Sequence, residues 1–177
     1  RSGDRDDQPM PPSRIAVIGG GIAGAAAAAG LRRRGAEVVL LEAGTGIGEG
    51  ASGNRMALQS PRLTVDHNAM SRLSAACLSF AARLSDLSGA TMAKGVLALD
   101  APERMAARHH VFRGQAWPVD LLRAAGPEDL PASVNKSGSA IVYPFGRVIR
   151  PDMLLPYLMG DTQLVLGFEG SSSHDRG

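Results

Sequence analysis

Residues 14–43 decide the fold of this chain, and they read R-I-A-V-I-G-G-G-I-A-G-A-A-A-A-A-G-L-R-R-R-G-A-E-V-V-L-L-E-A. A short apolar run is followed by a glycine-rich turn, an alanine-rich segment, a second turn and a second apolar run that ends in an acid. This order predicts a strand, a helix and a second strand in the βαβ arrangement that binds dinucleotides.

Three glycines after the first apolar run have the spacing G-x-G-x-x-G, at Gly19, Gly21 and Gly24. The first permits a tight turn, the second has no Cβ to block a pyrophosphate, and the third lets the helix pack close to the strand. The phosphates would lie against N–H groups at the helix start, where the helix dipole favours anions. We therefore expect Ile22 and Ala23 to line the phosphate site.

The residue types on either side of the glycine turn predict a strand before it and a helix after it. Residues 15–18 form an apolar run expected of a strand buried on both faces. Residues 22–34 predict a helix, since alanine has the best helix propensity, and Gly35 is placed to end it. Its last residues, Arg32 to Arg34, complement the helix dipole, and the alternative is a nucleic-acid contact.

Glu42 ends the second predicted strand, residues 38–41. A carboxylate at this point can accept hydrogen bonds from both ribose hydroxyls of an adenosine. The same charge would repel a 2′-phosphate, so NADP is disfavoured. The loop that follows, residues 44–54, is glycine-rich and too irregular for a helix or a strand. Either it folds over a pyrophosphate or flavin, with backbone N–H groups and Ser52 as donors, or it is an ordinary surface loop.

Composition limits the class of protein. The 177 residues suffice for one domain with a core, and a net charge of +2 neither demands nor excludes an anionic partner such as RNA. The single cysteine, Cys77, gives neither an internal disulfide nor a metal cluster, and its apolar surroundings indicate a core thiol. No apolar stretch is as long as a membrane span, so we expect no membrane contact and a reducing, cytoplasmic setting.

Downstream of the loop, residues 66–87 predict a helix capped by Asp66 or Asn68 and ended by Gly89. Its apolar residues recur at alternating steps of three and four, which predicts one stripe packed in the core: Met70, Leu73, Cys77, Phe80, Leu84 and Leu87.

The remaining elements are shorter. We expect strands at 95–99 and 139–144, a helix at 102–112, a short helix at 120–125 and a turn-rich connector at 126–136. Pro151 suits the first position of a helix that runs to about residue 159, and a strand-like run begins at 162. His109 and His110 are adjacent and point in different directions, so they indicate solvent-facing or dipole-stabilised histidines, not a metal pair or a catalytic base.

Two segments carry a resemblance to a known family. The first joins the glycine turn and Glu42 to the hexapeptide G-A-S-G-N-R at 50–55. The second runs from G-V-L-A-L at 95–99 to S-G-S-A-I-V-Y-P-F-G-R-V-I-R-P at 137–151. Together they resemble the FAD-dependent oxidase family that includes D-amino-acid and glycine oxidases. Within it, the hexapeptide is most similar to a tRNA-modifying branch in which the oxidase domain is joined to a methyltransferase. The resemblance covers about residues 14–157.

The resemblance implies an α/β chain with a Rossmann-like FAD-binding βαβ unit and the beginning of an α+β substrate domain, cut short. Residues 1–13 would be a flexible linker, 14–60 the FAD-binding unit with its flavin loop, 61–146 the start of the substrate domain, and 147–177 a return helix and an unassigned tail. Cofactor contacts would come from the residues that match the family's motif: Gly19, Gly21, Ile22, Ala23, Gly24, Glu42, Ala43, Gly44, Ala51, Ser52, Asn54 and Arg55.

By the same resemblance, FAD would oxidise a secondary amine. The implied reaction removes the carboxymethyl group from a carboxymethylaminomethyl-(2-thio)uridine at the wobble position of tRNA, and a fused or separate methyltransferase would then methylate the amine. A small-molecule amine, as in the glycine oxidases, is the alternative substrate. Arg55 would orient an anionic group near the flavin or form a structural salt bridge, and no catalytic residue is assigned.

Two departures from the family bear on these expectations. Ala57 stands where the family usually has glycine, and its methyl group would crowd the flavin approach. The chain also stops where the family continues, which would leave sheet edges exposed. We therefore expect a fragment of a longer protein or a truncated relative. A non-catalytic dinucleotide-binding remnant and an NAD-dependent dehydrogenase are the rival classes.

Overall fold

The computed structural model describes residues 14–66, 68–99, 103–115, 117–133 and 140–170. The expected linker at 1–13 lies outside these ranges. In chain order the elements are β1 (Arg14–Ile18), α1 (Ile22–Arg32), β2 (Glu37–Leu41), β3 (Ala57–Gln59), α2 (Ala69–Leu87), β4 (Thr91–Leu99), α3 (Glu103–Arg113), β5 (Arg123–Ala124), β6 (Ala140–Ile149), α4 (Pro151–Met159) and β7 (Gln163–Val165).

These elements belong to two units. The first is formed by the described residues of Arg1–Asn54 and Leu155–Gly177, and the second by those of Arg55–Leu154. The chain therefore leaves the first unit after the loop that follows β2 and re-enters it within α4. The sequence prediction placed the corresponding changes after residue 60 and after residue 146.

The first unit contains a parallel sheet in the order β1-β2-β7. β1 and β2 pair from Arg14 opposite Glu37 to Ile18 opposite Leu41. Helix α1 connects them, and its buried residues are all alanines, which let the helix pack close to the sheet. This confirms the predicted strand–helix–strand order.

The prediction that the first strand is buried on both faces is wrong. Alternate residues of β1 are exposed, and the side chain of Ile18 is 78% exposed. The reason is that the described chain covers only one face of β1, where Ile15 and Val17 are half-buried, and leaves the side chains of the other face exposed. An apolar run indicates that a strand can be buried. It does not indicate whether other elements of the chain pack on one face of the strand or on both.

Helix α1 ends two residues earlier than predicted, and Gly35 adopts the left-handed conformation expected of it, with φ +86°. Arg34 donates from Nη1 to the Gly30 carbonyl oxygen at 3.3 Å, as the helix-dipole interpretation expects. Arg32 instead reaches the end of α4, where its Nη1 donates to the Met159 carbonyl oxygen at 2.8 Å.

The second unit is built on an antiparallel sheet in the order β3-β6-β4, with β5 also paired to β6. The β4–β6 register shifts twice, between Thr91 and Ala93 and between Lys94 and Val96. Gly95 lies at the second shift with φ +82°, a conformation that favours glycine at a bulge. Strands β4 and β6 are both longer than the predicted 95–99 and 139–144, although Ser139 itself is outside the described residues.

Helix α2 packs in the second unit through a face that the sequence did not predict. Asn68 caps it by accepting a hydrogen bond from Ser71 N at 3.0 Å, and Gly89 follows its end with φ +70°, as predicted. Its buried residues are mostly small: Ser71, Leu78, Ala82 and Ser85. Both serines are hydrogen-bonded there, Ser71 to Thr64 N at 3.1 Å and Ser85 to the Gln59 side chain at 3.1 Å.

The predicted core stripe of α2 is therefore wrong. Met70, Leu73, Phe80 and Leu87 are each more than half exposed. Cys77 is also exposed, so it is not a core thiol. A helix buries the face that its neighbours can approach most closely, and here the small side chains permit that approach.

Two further expectations need correction. Residues 120–125 form no helix, because Leu121 and Leu122 are buried in a turn and Arg123–Ala124 then pair with β6 as β5. On α3, His110 is exposed but His109 is fully buried instead of facing solvent. Helix α4 begins at Pro151, as predicted.

Two ion pairs tie separate segments of the second unit together. Asp86 of α2 meets the buried guanidinium of Arg147 on β6, with Nε to Oδ1 at 3.2 Å. Arg123 pairs with Asp129 through both Nη atoms, at 2.6 and 2.7 Å. Local sequence patterns predict the elements but do not predict either of these pairs.

Among the described residues, no helix is long and apolar enough to cross a membrane. The same residues contain no group of three histidine, cysteine, aspartate or glutamate side chains that could hold a metal ion.

Candidate functional site

The glycine turn after β1 has a shape that requires glycine at two positions. Gly19 has φ +101°, and its N–H donates to the Leu41 carbonyl oxygen at 2.7 Å, which joins the turn to the end of β2. A Cβ on Gly24 would lie 1.9 Å from the Gly19 carbonyl oxygen. The close approach of helix to turn that the motif predicts is therefore present.

The start of α1 presents backbone N–H groups beside this turn. Gly21 is the N-cap and supplies no side-chain cap, and the first backbone hydrogen bond runs from Ala25 N to Gly21 O at 3.0 Å. The N–H groups of Ile22, Ala23 and Gly24 precede that bond and have no intrahelical acceptor. The N–H of Ile22 donates to Ser52 Oγ at 3.0 Å, a contact across thirty positions of sequence.

Glu42 joins the glycine turn to the loop at 44–54, with one carboxylate oxygen bonded to each. Oε2 accepts from Gly20 N at 2.5 Å and Oε1 from Gly44 N at 2.8 Å. The hydrogen bonds from the N–H groups of Gly44 and then Gly20 hold the pKa of the Glu42 carboxyl below its usual value. An ionised carboxylate has about four acceptor positions, so acceptor positions remain for ribose hydroxyls.

The loop at 44–54 folds back onto the glycine turn. Gly48 N donates to Gly20 O at 3.0 Å, and Gly48 has φ +79° with no room for a Cβ, which would lie 2.6 Å from Leu155 Cδ1. A single 3₁₀ turn, Ala51–Gly53, follows. Of the two interpretations left open by the sequence, the geometry favours a loop that belongs to the site.

Not all of the predicted site residues lie at the turn. Those brought together are Gly19, Gly21, Ile22, Gly24, Glu42, Gly44 and Ser52. Ala23, Ala43, Ala51 and Asn54 are exposed, and Asn54 Nδ2 donates to the Ala51 carbonyl oxygen at 3.3 Å. Arg55 is exposed and is the first residue of the second unit.

Sequence reasoning missed two further residues, Gly20 of the glycine turn and Glu49 of the loop. Gly20 supplies both an N–H to Glu42 and a carbonyl oxygen to Gly48. Glu49 accepts from the Thr45 hydroxyl at 2.7 Å and from Thr45 N at 3.2 Å, which closes the loop on itself. The available signals were the middle glycine of the run at 19–21 and the threonine four residues before an acid.

The fold and this turn define a Rossmann-type dinucleotide-binding protein. Residues 14–164 match the family of FAD dependent oxidoreductases, and the chain belongs to that family. FAD is the cofactor of the family. The site's chemistry fits the ADP half of FAD, because it combines helix N–H donors, a glycine turn free of side chains and an ionised carboxylate.

The most informative relatives share one name, tRNA 5-methylaminomethyl-2-thiouridine biosynthesis bifunctional protein MnmC. The protein from Nitrosospira multiformis is 33% identical over 168 residues, which is 88% of this chain and 27% of that protein. The one from Thiobacillus denitrificans is 52% identical over 65 residues, 37% of this chain and 11% of that protein. The chain thus spans at most about a quarter of these relatives.

Solved structures support the fold. A fructosyl peptide oxidase, in a thermally stable mutant form, aligns with a TM-score of 0.68 and 15% identity over 89% of this chain and 42% of that one. Glycine oxidase from Geobacillus kaustophilus aligns with a TM-score of 0.61 and 23% identity over 87% of this chain and 46% of that one. At these identities the likeness concerns the fold alone.

Proposed function

We propose that this chain binds FAD through the glycine turn and contributes to the oxidation of a secondary amine. The observation that carries the proposal is the double contact of Glu42, which joins the glycine turn to the following loop through Gly20 N and Gly44 N. This contact supports the proposal, because an acid that follows the second strand of a βαβ unit is the group that accepts hydrogen bonds from the adenosine ribose.

Within this proposal, the chain's own residues bind and orient the cofactor. Glu42 would accept the ribose hydroxyls, and the N–H groups at the start of α1 would face the pyrophosphate. Gly44, Ala51, Asn54 and Arg55 would follow the cofactor toward its flavin end. FAD, when bound, supplies the acceptor for the hydride that leaves the amine's carbon.

For the substrate, we propose a carboxymethylaminomethyl-(2-thio)uridine at the wobble position of tRNA, from which the carboxymethyl group is removed. Loss of a hydride from its CH₂ carbon and of the N–H proton leaves an imine, and water hydrolyses the imine, so that the two carbons leave as glyoxylate and the amine stays on the tRNA. The support is the shared name of the relatives, together with the G-A-S-G-N-R loop that folds onto the turn. A methyltransferase, fused or separate, would then act on the amine. The likeness to amino-acid and glycine oxidases is one of fold, so it does not favour a small amino acid.

The first experiment titrates the purified chain with FAD and follows quenching of flavin fluorescence. We expect saturable binding, and we expect Glu42→Gln to weaken it by about tenfold, roughly the effect of losing one charge-assisted hydrogen bond. Glu37→Gln is the matched control, since Glu37 is an exposed acid at the opposite end of β2 from Glu42 and pairs with Arg14 at 3.5 Å. Binding of NADH with no affinity for FAD would overturn the proposal.

Turnover is measured on the FAD-loaded chain with tRNA that carries the modified uridine. Nucleosides are released by digestion and identified by mass spectrometry, and we expect the carboxymethyl group to be lost. FAD binding without this loss would contradict the catalytic part of the proposal and support a non-catalytic dinucleotide-binding role.

A further inference from the structure

A small open cleft lies in the second unit between α2 and β6. Its volume is about 300 Å³, at the lower end of the range for ligand pockets. One wall comes from α2, where Ser79, Arg83 and Leu87 follow at intervals of four residues and so share a helix face. The other wall comes from Phe145 and Arg147 of β6. A space of this size holds one ring system with its substituents, which is far less than a whole dinucleotide.

Phe145 lies on a bulge of β6. Between two pairings with β4, the three residues 144–146 of β6 lie opposite a single β4 residue, Gly95. The buried Arg147 guanidinium closes this bulge, because its Nη1 donates to two carbonyl oxygens within it, both at 2.9 Å. Bulges redirect side chains and are frequent beside functional sites. Here the bulge presents the half-buried ring of Phe145 to the cleft.

Arg83 is the exposed cation of the cleft. It forms no ion pair or hydrogen bond with any residue that the structure describes. Asp86, three positions further along the helix, is at the usual spacing for an ion pair with it. The Asp86 carboxylate is instead bonded to Arg147 Nε at 3.2 Å, Lys94 Nζ at 3.2 Å and the Thr91 hydroxyl at 2.6 Å. The five N–H donors of the Arg83 guanidinium are therefore available to a ligand.

The charges and surfaces of the cleft favour a ligand that combines an anionic group with a ring. Asp86 is already neutralised by its own partners, so the uncompensated charge is the guanidinium of Arg83. A guanidinium matches the geometry of a phosphate through its paired N–H groups. The ring of Phe145 and the exposed side chain of Leu87 offer apolar surface on which a base can stack. A ring that carries a phosphate is a nucleotide.

We propose that this cleft is a subsite for one unpaired nucleotide of an RNA, with its base against Phe145 and its phosphate on Arg83. The inference rests on the proposed function in one respect, since that function makes RNA the source of the nucleotide. A nucleotide in a single-stranded loop exposes both its base and its phosphate to a protein. None of the cleft's residues belongs to the cofactor site, so this nucleotide is a second one, separate from the uridine that is oxidised.

The test measures binding of a short fluorescein-labelled oligouridine to the full chain by fluorescence anisotropy. We expect Arg83→Gln to weaken binding about tenfold, and to lower the slope of log Kd against log salt concentration by about 0.7, the effect of one phosphate contact on a single strand. Phe145→Leu keeps an apolar side chain but removes the aromatic face. We expect it to weaken binding about tenfold with an unchanged salt slope.

Arg62→Gln is the matched control for the loss of charge. Arg62 is an exposed arginine of the same unit, beside the other half of α2, where its backbone N–H donates to Ser74 Oγ at 2.7 Å. We expect this variant to bind the oligouridine as the wild type does. Losses of affinity that are equal in Arg62→Gln and Arg83→Gln would show a non-specific attraction of charge and would overturn the subsite.

Competition separates the two parts of the ligand. UMP, uridine and inorganic phosphate are added in turn to the complex with the labelled RNA. We expect UMP to displace the RNA at lower concentration than either uridine or phosphate, and we expect this advantage to disappear in Arg83→Gln. Inorganic phosphate that competes as well as UMP would overturn the assignment of a base to Phe145.

A measurement on the wild-type chain decides the case in which Phe145→Leu does not fold. RNA that carries 4-thiouridine is photocrosslinked to the chain, and the crosslinked peptide is identified by mass spectrometry. We expect a peptide that contains residue 145, and crosslinks confined to other peptides would contradict the subsite.

FAD titration of the same variants keeps this inference apart from the proposed function. We expect Arg83→Gln to bind FAD with wild-type affinity, because Arg83 is not a cofactor residue. FAD binding by a chain that does not bind the oligouridine would overturn the subsite and leave the cofactor proposal standing. Binding of the oligouridine at the cleft without binding of FAD would overturn the cofactor proposal and support the subsite.

Discussion

At the scale of single residues, the two glycines of α1, Gly24 and Gly30, have different physical roles. A Cβ on Gly24 would meet the Gly19 carbonyl oxygen at 1.9 Å, whereas one on Gly30 would meet nothing closer than Arg34 Nη1 at 3.8 Å. The first glycine is required by a backbone contact. The second only adds conformational freedom to the unfolded chain.

We therefore predict opposite effects of alanine at these two positions in one helix. Gly24→Ala should lower the free energy of unfolding by about 1–3 kcal/mol, because the backbone of the turn must shift. Gly30→Ala should raise it by about 0.5–1 kcal/mol. Urea unfolding followed by circular dichroism measures both. Equal destabilisation by the two variants would contradict the assignment of the close contact to Gly24.

The residue scale also shows what the sequence could predict of the site. The spacing of Gly19, Gly21 and Gly24 and the acid at Glu42 were recognisable because each has a fixed place in the motif. The partners of Glu42 within the chain were not, since backbone N–H groups at Gly20 and Gly44 leave no mark in side-chain patterns. The hydrogen bond from Ile22 N to Ser52 Oγ was missed for the same reason.

At the scale of elements, the most hydrophobic face of α2 is not the face that is buried. Its regular apolar stripe faces solvent in this chain, while its small residues face the sheet of the second unit. The period of the pattern correctly predicted a helix. It could not predict which face is covered, because that depends on elements distant in sequence, such as β6.

A pair of substitutions on α2 tests this orientation. Leu78 is 5% exposed and Phe80 is 59% exposed. Leu78→Ala should cost about 2–5 kcal/mol of unfolding free energy through loss of core contacts. Phe80→Ala should change it by no more than about 0.5 kcal/mol, as at other surface positions. Chemical denaturation of each variant measures the difference, and a larger loss at Phe80 would reverse the assignment of faces.

At the scale of the whole molecule, two acids of the second unit link stability to pH. The Arg147 guanidinium, with help from the Thr91 hydroxyl, holds the pKa of Asp86 far below its usual range. Arg123 and the Gly126 N–H lower the pKa of Asp129 to about 2. A carboxyl whose pKa is lower in the folded chain stabilises the fold above its unfolded pKa of about 3.9, and loses that effect as the pH falls through the folded value.

We predict that the chain loses stability between about pH 4 and pH 2. Asp129→Asn should be less stable than wild type at pH 7. It should lose less stability on acidification, because an asparagine has no carboxylate to protonate. Asp120→Asn, at an exposed turn position, is the control and should keep the wild-type profile. Thermal unfolding at a series of pH values measures these changes. An unaltered profile in Asp129→Asn would show that the Arg123 pair does not contribute.

For the whole molecule, the sequence did not predict which strands pair when they lie far apart in the chain. The parallel βαβ order was predicted because its signals lie within thirty residues. The pairing of β3 with β6 joins Ala57 to Ile149, and no local pattern encodes it. The edge position of β1 was likewise a property of the sheet and not of its apolar run.

The hydrogen bond from Ile22 N to Ser52 Oγ also sets an order of events during synthesis. The glycine turn leaves the ribosome before the residues that complete it, since Glu42 follows Gly20 by 22 positions and Ser52 follows Ile22 by 30. Until then the turn has the unpaired donors of an unfinished helix start. Closing a loop of this length is entropically modest. The strand end that carries Glu42 is completed much later, since Glu42 N donates to the Val165 carbonyl oxygen at 2.8 Å, so the site is finished only after β7 has emerged.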